Sequence, residues 1–301
     1  MEDRLKILVA TDYSPAAKSA EKYAINLAIA TGSFLIFIHV YEDRPADSHG
    51  DAIVTAGGAL TWLSEYDKLS GHVWQLLQSE KAASEPAYQC VIKKGFRIRK
   101  LILQEALERE VDFVITGTHN RATLKEWMFG THTWNINMRS RLPVLAIPEV
   151  AEFSEIKNIV YVTDYKKGEI PALYFLTRIA KWLGAKITVL FTTNEQLSEK
   201  FSNGLSNNFK EEIIDNLSYA AVDIHQYKIN YRNVTNELNA LCKKNEVNWI
   251  VMSHLRSSFP DNALDPPDEN TLPKMTFHPE LPFFVLPDFF NAPLPQIMKA
   301  I

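Results

Sequence analysis

Cysteine occurs only twice in the 301 residues, at Cys90 and Cys242. Two isolated thiols make neither a disulfide framework nor a zinc site, and such usage suits a reducing compartment. Long apolar runs are missing too: stretches such as Phe34 to Ile38 are far too short to cross a bilayer. The opening Met1-Glu2-Asp3-Arg4 does not lead into a secretory pattern. A soluble, cytoplasmic protein with no membrane partner is expected. Cations are not in excess, with 32 Lys and Arg against 36 Asp and Glu. The whole-chain balance therefore lacks the basic footprint of a nucleic-acid binder, and none is expected as partner. Hydrophobic residues at 46% and charged residues at 23% argue against disorder. Glycine is absent after Gly204.

What is present is a repeat at half-length. Lys6-Ile7-Leu8-Val9-Ala10-Thr11-Asp12-Tyr13 returns as Asn158-Ile159-Val160-Tyr161-Val162-Thr163-Asp164-Tyr165. Gly32 and Gly184 follow at the same offset. Val111-Asp112-Phe113-Val114-Ile115 corresponds to Val247-Asn248-Trp249-Ile250-Val251, and Leu142-Pro143-Val144-Leu145-Ala146-Ile147-Pro148 to Leu281-Pro282-Phe283-Phe284-Val285-Leu286-Pro287. Four matches in one order imply a duplicated domain, residues 1–150 and 151–301, the second carrying a tail.

Each half alternates strand and helix. Ile7 to Ala10 is a run suited to a strand buried on both faces. Ser14 can cap a helix whose first position is Pro15, and Gly32 can end it in the left-handed conformation. Further elements are a strand over Phe34 to Val40, a helix over Leu60 to Leu77, a strand over Tyr88 to Ile92, a helix over Ile98 to Leu107, and strands over Phe113 to Thr116 and Val144 to Ile147. The second half predicts helices near Ile170 to Leu183, Phe209 to Leu217 and Val234 to Lys243. The fold class is α/β: two tandem Rossmann-like domains, each a five-stranded parallel sheet with helices on both faces. The apolar last strands, Val144 to Ile147 and Phe283 to Leu286, would be exposed edges unless they paired. Pairing predicts an intrachain pseudo-dimer with pseudo-two-fold symmetry, compatible with further association into a homodimer. Phe289, Phe290, Leu294 and Ile297 predict a tail docked on the body.

Open parallel sheets bind ligands beyond the carboxyl ends of their strands. There the first half reads Gly117-Thr118-His119-Asn120-Arg121, then Gly130-Thr131. Gly117 would permit a sharp turn, Asn120 tolerates a left-handed backbone, and Gly130 leaves room for a phosphate. Thr131 would open a helix, offering a hydroxyl and unpaired N–H groups. Arg121 and Lys125 add positive charge. Together these features describe a phosphate cradle, although not the Walker pattern.

Both halves resemble the universal stress protein family, and the whole chain resembles its tandem form. Members of that family that bind ATP show Gly, two residues, Gly, nine residues, Gly, then Ser or Thr. Gly117, Asn120, Gly130 and Thr131 stand at those places, with Asn120 in place of the second glycine. The resemblance implies an adenine nucleotide α-hydrolase-like fold and ATP or another adenine nucleotide as cofactor, with Mg2+ only alongside the nucleotide. Asp12 would contact the adenosine portion and Val40 would hold adenine through its main chain. Gly117, Asn120, Gly130, Thr131, His132 and Thr133 would face ribose or phosphates. His132 stands where a small or apolar residue is usual. The resemblance implies a stress-response protein acting through ligand-dependent contact with an unknown protein partner. It implies at most slow hydrolysis.

Plainer roles stand beside these. Asp12 can cap the turn after the first strand, and Asp164 can do the same. His119, His132, His254 and Arg256 can be solvated loop residues, and no carboxylate or cysteine shares their spacing to complete a metal site. Trp62, Trp74 and Trp127 are read as packing residues, and the two thiols as buried and inert. Ser253-His254-Leu255-Arg256 replaces the glycine loop in the second half, where acidic residues such as Asp261 and Asp265 would repel a triphosphate. No catalytic triad or paired-carboxylate signature is present, so catalysis is not expected. The alternative function is a scaffold or chaperone-like interaction protein without nucleotide.

Overall fold

A computed structural model describes residues 4–42, 54–80, 85–118, 142–163, 169–192, 221–227, 234–253 and 281–287. The first strand, β1 (Lys6–Thr11), is followed by α1 (Pro15–Thr31). Ser14 caps α1 by accepting from the Ala17 N–H at 3.2 Å, Pro15 opens it, and Gly32 closes it at φ 69°. Next come β2 (Phe34–Tyr41), α2 (Val54–Ser79), β3 (Tyr88–Lys94), α3 (Ile98–Glu108), β4 (Phe113–Thr118) and β5 (Val144–Pro148). The later elements are β6 (Asn158–Thr163), α4 (Glu169–Leu183), β7 (Lys186–Thr192), β8 (Val222–Tyr227), α5 (Val234–Lys244), β9 (Trp249–Ser253) and β10 (Phe283–Leu286). The predicted helix over Phe209 to Leu217, Asp164, Trp127 and the tail from 288 lie outside the described residues. Helix α2 begins six residues before the predicted Leu60 start and ends two after Leu77.

The ten described strands form one sheet in the order β3-β2-β1-β4-β5-β10-β9-β6-β7-β8. Each half contributes five parallel strands, and the two sets join by antiparallel pairing of β5 with β10. Ala146, Leu145 and Val144 face Phe283, Phe284 and Val285 in that register. The last strands pair as their exposed-edge composition predicts.

The repeat extends to individual hydrogen bonds. The Asp112 carboxylate accepts from the Lys6 N–H at 2.8 Å, while Asn248 Oδ1 accepts from Asn158 at 2.9 Å. In return the Asp112 N–H donates to the Lys6 carbonyl and the Asn248 N–H to that of Asn158, both at 2.8 Å. Glu110 and Glu246 both take positive φ, at 51° and 49°, just before these residues. Gly32 and Gly184 end their helices at φ 69° and 64°. Side-chain acceptors and left-handed turns thus place each strand against its neighbour the same way twice.

Helices α1 and α2 pack on one sheet face, where Leu35, Phe37 and Tyr41 point, while Ala106 of α3 packs with Ile36, Ile38 and Val40 on the other. That distribution follows from right-handed crossovers, because α1 and α2 carry the chain one way along the sheet and α3 carries it back. The α1 face continues without a break into the second half. Phe284 of β10 lies 5.2 Å from Phe113, 6.1 Å from Phe175 and 5.7 Å from Trp249, between ring centroids. Trp249 Nε1 donates to the Tyr23 hydroxyl at 2.7 Å, a buried bond between β9 and α1. Trp74 is a correction: it lies on the outer side of α2, 57% exposed, whereas Trp62 does pack, stacked on Tyr66 with ring centroids 5.4 Å apart. Helical periodicity turns Trp74 away from the sheet, which Leu69, Val73, Leu76 and Leu77 cover instead.

Tyr23→Phe removes the acceptor for a buried indole N–H. It should cost about 1–3 kcal/mol in urea unfolding, and an unchanged midpoint would count against the Tyr23–Trp249 bond as a tie between the halves.

Candidate functional site

Strand β1 lies between β2 and β4. The chain runs outward through β2 to β3, then returns to β4, so the strand order reverses beside β1. A crevice is expected at that point, beyond the carboxyl ends. The described candidates Asp12, Val40 and Gly117 come to this edge from three different strands. Asn120, Gly130, Thr131, His132 and Thr133 lie outside the described residues, as do His119, Arg121 and Lys125.

Asp12 is exposed at the rim. Its Oδ1 accepts from the Ser14 N–H at 2.9 Å, and Thr11 Oγ1 accepts from the Tyr13 N–H at 3.1 Å. These two bonds support Tyr13 at φ 63°, an uncommon conformation for a bulky residue. Asp12 therefore does cap the turn, and does so while remaining exposed. Val40 buries its side chain in the α3-side core. The β1–β2 ladder ends at Thr11 opposite His39, so the main chain of Val40 continues beyond β1 along the crevice.

Gly117 needs a correction. It makes no turn: it lies inside β4, in register with Ile147, and is not among the positive-φ glycines. Its small size serves a close approach instead. A Cβ there would sit 2.2 Å from the Ala16 carbonyl oxygen and 2.7 Å from the Ala17 N. The first turn of α1 thus rests directly on the end of β4. A glycine can be required by a turn or by a neighbouring backbone, and sequence cannot separate the two.

A polar cluster beside this edge escaped the sequence reading. Tyr13 packs at 4.5 Å from His39 and edge-on at 5.2 Å from His72, with Lys68 Nζ 4.4 Å from its ring centre. His72 Nε2 meets the fully buried Glu21 at 2.7 Å, and His39 Nδ1 meets the Thr11 carbonyl at 2.9 Å. Burial, then the carboxylates of Glu65 and Glu21, push the Tyr13 phenol well above its ordinary range. The cluster ties α2 to α1 and to the ends of β1 and β2. Its sequence signal was a histidine on the inward face of β2, which needed two helices to supply its neighbours. Among the described residues no group of His, Cys, Asp or Glu could hold a metal ion. No described helix is long and apolar enough to cross a membrane.

Residues 4–148 match the model of the universal stress protein family. The chain is 24% identical to universal stress protein MJ0577 of Methanocaldococcus jannaschii over 153 residues, 47% of this chain and 93% of that one. Among solved structures, a universal stress protein from Archaeoglobus fulgidus superposes with a TM-score of 0.64 at 13% identity. That match covers 94% of this chain and 98% of the other. A putative universal stress protein from Pseudomonas aeruginosa gives 0.53 at 15% identity, covering 94% and 92%. At such identities the structural matches establish the fold, over both halves.

Gly117→Ala should destabilise the protein by about 1–3 kcal/mol or more, because helix backbone rather than a flexible side chain must move. Thermal denaturation checks this, and a wild-type midpoint would contradict the close packing. Burial pushes the Cys90 thiol up to about 11 and Cys242 up to about 12. Both should resist a thiol reagent at pH 8 and react once urea unfolds the chain. Their raised values contribute stability that is complete below the unfolded thiol range, about 8.5. That contribution is lost as pH climbs towards 11–12, so stability should fall in alkali, and Cys90→Ala combined with Cys242→Ala should flatten that fall in pH-dependent urea unfolding.

Proposed function

From the premise that residues 4–148 match the universal stress protein family, we propose that the first half of the chain binds ATP or a related adenine nucleotide. The protein would act by ligand-dependent interaction rather than catalysis. One observation carries the reading: Asp12, the main chain beyond the β1–β2 ladder at Val40, and the glycine-floored end of β4 converge where the strand order reverses. Asp12 and Val40 would take the adenosine portion. Asn120, Gly130, Thr131, His132 and Thr133 would supply amides and hydroxyls to ribose and phosphates. Mg2+ would enter only with the nucleotide.

Residues 1–150 would form the sensing domain. Residues 151–301 would keep the same strand order without a glycine loop and serve as its permanent partner. A homodimer and an unidentified protein partner are extensions of the same reading. The second reading, a scaffold that binds no nucleotide, is favoured by one residue: Asn120 puts a side chain where a phosphate loop of this kind ordinarily has none.

Titration calorimetry with ATP tests the first reading. Wild-type protein should give heat that Gly130→Asp abolishes and Asp164→Ala leaves intact. At a hundredfold excess over Kd, ATP should stabilise the fold by about 2.7 kcal/mol. No heat, together with no nucleotide retained in native mass spectrometry, would leave the scaffold reading standing.

A further inference from the structure

The window from 86 to 104 holds five cationic residues, Lys93, Lys94, Arg97, Arg99 and Lys100, and no acidic one. It is the most one-sided charge pattern among the described elements of a chain whose net charge is −4. The window spans β3, the outermost strand of the first half, and the start of α3. The turn between them is built rather than loose. The Gly95 N–H donates to the Tyr41 carbonyl at 3.0 Å, and a Cβ on Gly95 would strike Leu101 at 2.8 Å. Leu101 is thereby tucked against the α3-side core while Phe96 is turned outward. Phe96 is 74% exposed, the highest value among the exposed large hydrophobic residues, and Ile98 is 43% exposed.

Lys93 is engaged internally: with Arg109 it flanks the buried Glu105 carboxylate. Burial pushes that carboxyl up, and the two cations outweigh burial and hold it below the usual range. Lys94, Arg97 and Lys100 are exposed around Phe96. Arg97, Arg99 and Lys100 also stand where acidic residues would suit the start of a helix better, and α3 has no acidic residue in its first turn. Intrahelical electrostatics does not account for this choice of residues.

We propose that the β3–α3 turn is a docking surface for an anionic lipid bilayer. Cations attract the headgroups, and Phe96 with Ile98 supplies apolar surface to the acyl boundary. A lipid surface fits this arrangement better than a nucleic acid. The apolar pair projects from the end of a sheet instead of lining a groove, and aliphatic Ile98 offers no stacking face for a base. That no described helix is long and apolar enough to span a membrane concerns insertion, and leaves such peripheral contact open. The proposal does not rest on nucleotide binding.

Full-length protein would be sedimented with phosphatidylserine-containing vesicles and with pure phosphatidylcholine vesicles. Binding is expected to the anionic vesicles alone, and to weaken as salt rises. Arg97→Glu combined with Lys100→Glu should lower it at least about tenfold. That variant places acids at the start of α3, so its melting temperature should hold or rise, which separates lost docking from lost folding. Phe96→Ser should weaken binding severalfold with unchanged stability. Equal sedimentation with both vesicle types, variants that bind as wild type does, or tighter binding to an oligonucleotide or acidic peptide at the same ionic strength would each overturn the proposal.

Discussion

Antiparallel pairing of β5 with β10 is the contact on which the rest of the molecule depends. An apolar strand at a sheet edge leaves backbone donors and acceptors unpaired and invites association with another chain. Both halves end in such a strand, and each satisfies the other. The pairing also makes a single core on the α1 face. Phe284, which meets Phe175 and Trp249 of its own half, reaches Phe113 of the first because β10 lies beside β5. The Tyr23–Trp249 bond, between residues far apart in the chain, becomes local in the same way.

Within each half, a second constraint sets strand against strand. The side chain of Asp112 or Asn248 takes the N–H at the start of β1 or β6, and a left-handed residue just before it turns the chain into place. One copy uses a carboxylate and the other an amide, since a single acceptor oxygen serves in both. The repeat is therefore conserved at the level of hydrogen bonding even where the residue has changed. It is a physical reason to regard the halves as two executions of one local plan.

The candidate site inherits its position from this plan, and its residues do more than one thing. Asp12 holds the turn that sets Tyr13 while staying exposed at the carboxyl edge of the sheet. Gly117 admits the first turn of α1 at the floor of the crevice. Such double duty means that loss of ligand binding on mutation must be read against stability, as must any effect at the Glu21–His72 pair that fastens α2. The basic turn at Phe96 sits at the same carboxyl edge as the crevice, with Lys93 in register with Val40.

Much of this was legible in residue order alone. Continuous apolar runs, the Ser14-Pro15 opening, Gly32 and Gly184, and the four repeated segments determined the elements, the α/β class and the pairing of the last strands, because each depends on neighbours close in sequence or on the repeat itself. Only tertiary structure decided what lies across space. It turned Gly117 from a turn residue into a packing residue, moved Trp74 outward, and gathered Tyr13, His39, Glu21 and His72 from four segments. A side chain's role at such a place is set by its partners, and those partners are chosen when crossover helices fold back over the sheet.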